Sequence, residues 1–235
     1  MGKTSKSMIL QLPQGLFFEL LFNRWRTSPH TLLIRDILKN KEVDVAQFLF
    51  DVLRLRAANP DADVFVGILA GSGYTFAVML FALYALKATA VPLSGIIDSH
   101  CHILRLCDTF LLAITPNLKS EGDKLSKRKN TPTFIFDTAI REYPVDLQFT
   151  RPRAASCMDH SLSHLARVGY VVFSTSGTSG PSKGVLNTRQ SVEIGFLKRA
   201  EVLNVHSEKD TLLHFTPTYL ATGLSSCVAG IISGA

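Results

Sequence analysis

A loop rich in glycine and hydroxyl groups is the part of the sequence best equipped for chemistry. It follows the apolar stretch GYVVFS at 169–174 and reads TSGTSGPSKGV over 175–185. Gly177 and Gly180 allow backbone N–H groups to turn toward one point, neighbouring hydroxyls add donors, and Lys183 adds a positive charge at the far end. The pattern predicts a loop that binds a polyphosphate.

Two familiar motifs do not fit this loop. A Walker A loop needs G-x-x-x-x-G-K-[ST], but the places after Gly177 that should read G-K-[ST] hold Ser182, Lys183 and Gly184. The nucleophile elbow G-x-S-x-G is matched by residues 180–184, yet an elbow places its serine on a sharp turn directly after a strand. Residues 175–181 separate Ser182 from the strand, so we exclude both motifs.

The loop resembles the AMP-binding signature of the adenylate-forming superfamily, which includes acyl-CoA synthetases, adenylation domains of non-ribosomal peptide synthetases and luciferases. The family pattern runs Y-T-S-G-T-T-G-x-P-K-G, and this chain has FSTSGTSGPSKG, with Pro181 one place early and Ser182 where proline is usual. Residues 64–93 are similar to the family's early VGI…LKAGAVYVPL stretch. Residues 217–224 and 233–235 are similar to the P-x-[FY]-H-x-x-G-L…GA stretch, although Leu220 replaces the histidine. The resemblance covers the chain from about residue 12 onward.

The resemblance implies ATP-dependent activation of a carboxylic acid to an acyl-adenylate, assisted by Mg²⁺, and then transfer to the thiol of coenzyme A or of a carrier-protein arm. It implies that the β- and γ-phosphates of ATP are held by Thr175, Ser176, Gly177, Thr178, Ser179, Gly180 and Lys183. It also implies an acyl pocket near Tyr219, Leu220 and Gly223, with the acid itself left open.

The family features that bind adenine and ribose, and the catalytic lysine of a small C-terminal domain, would follow the last residue here. We therefore expect residues 1–235 to be the N-terminal portion of an adenylation domain and assign no catalytic residue. A truncated fragment that binds nucleotide weakly and catalyses nothing is the alternative.

Alternating strand and helix patterns predict an α/β fold with mostly parallel sheets flanked by helices. Asp44 is a candidate helix N-cap. Helices are predicted at 45–57, 74–87, 98–106 and 191–203, with a small-residue helix near the end. Strands are predicted at 64–70, 90–93, 109–115, 133–137, 169–174 and 211–216, and a polar linker at 116–131.

Charge and cysteine usage narrow the class of protein. The net charge is +6, but the basic residues are scattered and are not interleaved with aromatic residues, so no nucleic-acid surface is predicted. A mild positive balance fits small polyanions such as ATP. The four cysteines form no C-x-x-C pair and the chain does not end in S-K-L, which indicates a reducing, cytoplasmic compartment.

Three weaker patterns predict ordinary structure. Residues 64–86 carry no Asp, Glu, Lys or Arg, but Gly71 and Gly73 divide them into a strand and a helix, which disfavours a membrane span. The same turn lacks the third glycine of the dinucleotide-binding motif G-x-G-x-x-G, since Phe76 stands there, so an ordinary turn is predicted. His102 and Cys107 do not have a usual zinc-ligand spacing, so no metal site is predicted.

Overall fold

The computed structural model describes residues 13–37, 39–58, 64–94, 97–137, 169–175, 183–205 and 210–234. These residues form a six-stranded sheet with helices on both faces and a separate two-stranded hairpin. The hairpin pairs β1 (Leu32–Asp36) with β2 (Lys41–Asp44) in antiparallel fashion. The predicted α/β class with a mostly parallel sheet is confirmed.

The large sheet has the strand order β6-β5-β3-β4-β7-β8. Five neighbouring strands are parallel, and the last strand, at one edge, is antiparallel to its neighbour. Their bounds are β3 Phe65–Leu69, β4 Thr89–Pro92, β5 Leu111–Ile114, β6 Thr133–Ile135, β7 Gly169–Ser174 and β8 Gly184–Thr188. Because the five parallel strands run the same way, the loops that follow them emerge at one carboxyl edge of the sheet.

Seven helices belong to the described part of the chain: α1 Leu16–Thr27, α2 Val45–Ala58, α3 Tyr74–Leu86, α4 Ile97–Leu106, α5 Lys119–Lys129, α6 Arg189–Val202 and α7 Ala221–Ser233. The predicted N-cap of α2 is confirmed, since the Asp44 carboxylate accepts from the N–H of Gln47 at 2.7 Å. Every residue from Tyr74 to Tyr84 in α3 is buried, as expected of a helix that is apolar all round.

The sheet separates two apolar clusters. Alternate residues of β3 point to opposite faces, so Val66 and Ile68 belong to one cluster and Phe65 and Leu69 to the other. The larger cluster contains side chains of α1, α2, α3, α6 and α7, and the smaller one contains side chains of α4 and α5. Burial on both faces explains why these strands read as continuous apolar runs.

Two sequence predictions about secondary structure are wrong. The segment predicted as a polar linker, 116–131, forms a short 3₁₀ turn and helix α5, whose only buried residues are Gly122 and Leu125. Residues 211–216 belong to no strand, although their exposure alternates as in a strand and leaves Leu213 and Phe215 at the surface. The sequence also gave no indication of the β1–β2 hairpin or of β8.

Candidate functional site

The candidate phosphate loop is the tip of a hairpin formed by β7 and β8. Buried Tyr170, Val171 and Val172 fix β7 in the sheet, where it pairs with β4 on its other side. The hairpin register sets Phe173 opposite Val185. The loop therefore emerges from the carboxyl edge of the sheet, as expected for the ligand-binding loops of open α/β folds.

The two described ends of the loop are bonded to each other. The backbone N–H of Thr175 donates to the carbonyl of Lys183 at 2.9 Å, and the Thr175 hydroxyl lies 3.4 Å from the same oxygen. Both residues are exposed. The side chain of Lys183 thus starts at the base of the loop, one strand spacing from Thr175. From these positions both side chains can reach one bound anion.

The other predicted phosphate-binding residues lie outside the described residues: Ser176, Gly177, Thr178, Ser179 and Gly180. Their assignment stays a prediction from the sequence. What the structure adds is the hairpin, since the sequence suggested a loop between a strand and a helix and gave no sign of the returning strand β8.

The hairpin is tied to the core through the start of α6. Thr188 caps this helix by accepting from the N–H of Ser191 at 3.2 Å. The Arg189 guanidinium donates to the carbonyls of Tyr84 and Ala88, at 2.9 and 3.2 Å, and lies over the Tyr84 ring. A cation at the C-terminus of α3 is favourable because the last carbonyls of a helix carry partial negative charge.

A half-buried carboxylate, Glu193, lies beside this anchor. The Tyr84 hydroxyl donates to Glu193 Oε1, which also accepts from the N–H of Leu16 at 3.2 Å. Burial raises the pKa of Glu193 from its ordinary value of 4.5, the Leu16 bond lowers it, and Glu19 raises it. These contacts join α1, α3 and α6.

The predicted acyl-pocket residues form a turn that leads into α7. The N–H of Leu220 donates to the carbonyl of Pro217 at 3.1 Å, and Leu220 is exposed while Tyr219 is half-buried. Gly223 is buried, and a Cβ there would lie 2.1 Å from the Pro217 carbonyl oxygen. His214 Nε2 donates to the Gly223 carbonyl at 2.8 Å. The structure therefore brings Tyr219, Leu220 and Gly223 together on one rigid turn.

An apolar cavity of about 40 Å³ lies elsewhere, between α2, α3 and the sheet. Its lining includes Val64 and Phe110, which precede β3 and β5, together with Met79, Leu83 and Phe134. None of the predicted phosphate-binding or acid-binding residues lines this cavity.

Other side chains that the sequence singled out form no site in the described part of the chain. No group of three or more His, Cys, Asp or Glu residues among them could hold a metal ion. No described helix is long and apolar enough to cross a bilayer. The turn at Gly71 and Gly73 leads from β3 into α3 as predicted.

The sequence did not identify Ser72, His214 and Arg189 as contributors to the site. Ser72 and Arg189 bond to a backbone group of a distant segment, and His214 bonds to the carbonyl of a residue nine places later, so no spacing in the sequence reveals these contacts. Only a strand-turn-helix pattern at Ser72 could have directed attention to one of them.

No family sequence profile matches the chain, and no curated protein matches it by sequence. Its fold is nevertheless shared by known structures. The N-terminal domain of FACL13 from Mycobacterium tuberculosis aligns with a TM-score of 0.73 and 18% identity, over 94% of this chain and 56% of that one. A candidate long-chain-fatty-acid CoA ligase from Rhodopseudomonas palustris aligns with a TM-score of 0.71 and 15% identity, over 94% of this chain and 56% of that one.

A red-emitting luciferase from Phrixothrix hirtus gives a TM-score of 0.71 and 18% identity, over 95% of this chain and 59% of that one. Apo MatB from Rhodopseudomonas palustris is covered over 43% of its length. The chain therefore spans roughly half the length of the structures that it resembles. It has the fold that the N-terminal domain of FACL13 and the luciferase share, which is the fold expected from the resemblance of its loop sequence.

Proposed function

We propose that this chain carries the phosphate-binding and acid-binding parts of an enzyme that activates a carboxylic acid with ATP. The observation that carries the proposal is the placement of the glycine- and hydroxyl-rich loop. It joins β7 to β8 at the carboxyl edge of the sheet, and Thr175 and Lys183 are bonded at its base. The fold shared with a candidate CoA ligase and a luciferase supports the same function.

In the proposed reaction a carboxylate oxygen attacks the α-phosphorus of ATP, and the bond from that phosphorus to the bridging oxygen of pyrophosphate breaks. The products are an acyl-adenylate and pyrophosphate. Loop N–H groups and hydroxyls orient the β- and γ-phosphates, and the Lys183 ammonium stabilises the charge that develops on the leaving group. No protein nucleophile is needed, because catalysis of this kind depends on positioning and charge.

The described hairpin offers no magnesium site of its own. Residues 169–175 and 183–188 contain no aspartate or glutamate. Magnesium in nucleotide sites is held largely by phosphate oxygens and water with one or two carboxylates. A magnesium ion bound to the phosphate oxygens of ATP would offset their negative charge at this loop.

The acid belongs at the turn that carries Tyr219 and Leu220. Gly223 lets this turn approach α7 closely, and the exposed Leu220 side chain offers an apolar contact. A thiol, of coenzyme A or of a carrier-protein arm, would then take the acyl group. Both the acid and the thiol acceptor are proposals by resemblance.

A second candidate follows from the length of the shared region. Because the chain spans 43% to 59% of the structures that it resembles, it could bind nucleotide without completing the reaction. The two candidates differ in one measurable property, since only an active enzyme returns labelled pyrophosphate to ATP in the presence of an acid.

The test is acid-dependent exchange of pyrophosphate into ATP, with acetate, malonate, hexanoate, dodecanoate and benzoate as probes. Exchange that is lost in Lys183→Ala and retained in Lys124→Ala, an exposed lysine on α5, would establish the proposed function. Nucleotide binding without exchange would establish the second candidate. A Lys183→Ala variant with full exchange would refute the role of the loop.

A further inference from the structure

The turn between β3 and α3 contacts the segment that carries Tyr219 and Leu220, residues 214–223, which we call the acid-binding turn. Ser72 Oγ accepts from the backbone N–H of Thr218 at 3.0 Å, and the Thr218 hydroxyl lies 3.3 Å from the same atom. Thr218 is 1% exposed, whereas Ser72 is exposed. A buried N–H left without a partner is costly, so this contact fixes where Thr218 lies.

Ser72 lies at a special place in the sheet. The helix that follows β3 packs on one face, whereas α4 and α5, which follow β4 and β5, pack on the other. Because β3 lies between β4 and β5, adjacent loops diverge at its carboxyl end. Open α/β sheets bind ligands in the crevice that such a topological switch point creates.

The same edge carries the candidate phosphate loop. Only β4 lies between β3 and β7, so Ser72 and Thr175 follow strands that are two spacings, or about 10 Å, apart. Both strands run in the same direction. A group held by Ser72 therefore lies at the same carboxyl edge of the sheet as the ends of the phosphate loop.

The acid-binding turn is held together by its own contacts. Gly223 packs against the Pro217 carbonyl, His214 donates to the Gly223 carbonyl, and Leu220 donates to Pro217. These bonds are internal to residues 214–223. Among the described residues, Ser72 joins this turn to the sheet edge through a side-chain hydrogen bond.

We propose that Ser72 is a positioning residue for the acid: through Thr218 it holds Tyr219 and Leu220 at the switch point, at a fixed distance from the phosphate loop. The inference rests on the proposed function and extends it. Loss of the Ser72 hydroxyl would let the turn shift without disturbing the hairpin at Thr175. The affinity for the acid would then fall while ATP binding is preserved.

The experiment compares Ser72→Ala, Ser72→Thr and a control, Ser225→Ala, whose hydroxyl donates to the Thr222 carbonyl within α7. Pyrophosphate exchange gives KM for ATP and for whichever acid of the five-acid panel is fastest. Hydrogen exchange of the amides of residues 218–224 reports on the turn independently of activity. Ser72 is exposed, so its truncation leaves no cavity that would unfold the chain.

We expect Ser72→Ala to raise the acid KM and the amide exchange rate of Thr218 by about fivefold or more, with the KM for ATP unchanged, and Ser72→Thr to restore both. An unchanged acid KM, or an equal rise for acid and ATP, would overturn the inference. Absence of pyrophosphate exchange in the unmodified chain would refute the proposed function itself. Hydrogen exchange would then still show whether the Ser72 contact exists.

Discussion

The backbone N–H of Thr175 donates to the carbonyl of Lys183 at 2.9 Å, and this bond joins the two ends of the candidate phosphate loop. The bond closes the base of the loop where β7 ends and β8 begins. It thereby holds the backbone of Lys183 at the carboxyl edge of the sheet.

Replacing Lys183 with alanine should weaken ATP binding more than AMP binding. The ammonium is proposed to contact the β- and γ-phosphates, which AMP lacks. A hydrogen bond to a charged group contributes about 1.5–3 kcal/mol, so the Kd for ATP should rise by roughly 10- to 150-fold. Calorimetric titration of both nucleotides, with Lys124→Ala as the charge-matched control, measures this. An equal loss of affinity for ATP and AMP would show that Lys183 does not contact the β- and γ-phosphates.

The closing bond of the hairpin can be tested with two substitutions at Thr175. Thr175→Pro removes the N–H that donates to Lys183, whereas Thr175→Ala keeps it and loses only the 3.4 Å hydroxyl contact. We expect hydrogen exchange of the amides in β7 and β8 to rise about fivefold in the proline variant and to stay near the original rate in the alanine variant. Similar exchange in both would mean that the bond does not hold the loop ends together.

Gly223 and Gly195 form a matched pair for the acid-binding turn. A Cβ at Gly223 would lie 2.1 Å from the Pro217 carbonyl oxygen, whereas one at Gly195, in α6, would meet nothing within 4 Å. Gly223→Ala should lower the free energy of unfolding by about 1–3 kcal/mol through overpacking. Gly195→Ala should raise it by about 0.5–1 kcal/mol, because alanine favours the helix. Urea denaturation of both variants measures these changes. An unchanged free energy of unfolding in Gly223→Ala would refute the close approach of Gly223 to the Pro217 carbonyl.

Glu193 should make stability depend on pH. Its folded pKa is raised above the ordinary 4.5, mainly by burial, so the folded state binds the proton more tightly than the unfolded state. The stabilisation from Glu193 is then fully present below 4.5 and is lost as the pH rises through the raised folded value. Relative to Glu193→Gln, the unmodified chain should lose unfolding free energy across that window. A pH-independent difference between the two proteins would contradict this.

The sequence predicts the buried framework well because that framework is apolar without interruption. Strands β3 and β5 and helix α3 are almost entirely buried, and their runs of Val, Ile, Leu and Phe can be recognised without a partner. The loop before Lys183 is also recognisable, because few structural roles require so many glycines and hydroxyls.

The elements that the sequence did not predict are exposed or polar. Helix α5 buries little beyond Leu125 and is rich in lysine, so its pattern resembles a linker. Strand β8 is largely exposed and depends on pairing with β7. In the β1–β2 hairpin Arg35 faces Glu42 at 2.7 Å, a cross-strand pair that only the fold brings together. Residues 211–216 alternate as a strand does, but no described strand pairs with them.

The fate of the carboxylate oxygen tests the central claim most directly. The chain would be incubated with ATP, hydroxylamine as an acyl trap, and the most active acid labelled with ¹⁸O in its carboxylate. Attack on the α-phosphorus leaves one labelled oxygen in the AMP that hydroxylamine releases from the acyl-adenylate. We predict labelled AMP together with pyrophosphate and a hydroxamate, all lost in Lys183→Ala. Label in inorganic phosphate alongside ADP, or no acid-dependent AMP at all, would contradict the proposed activation of the acid as an adenylate.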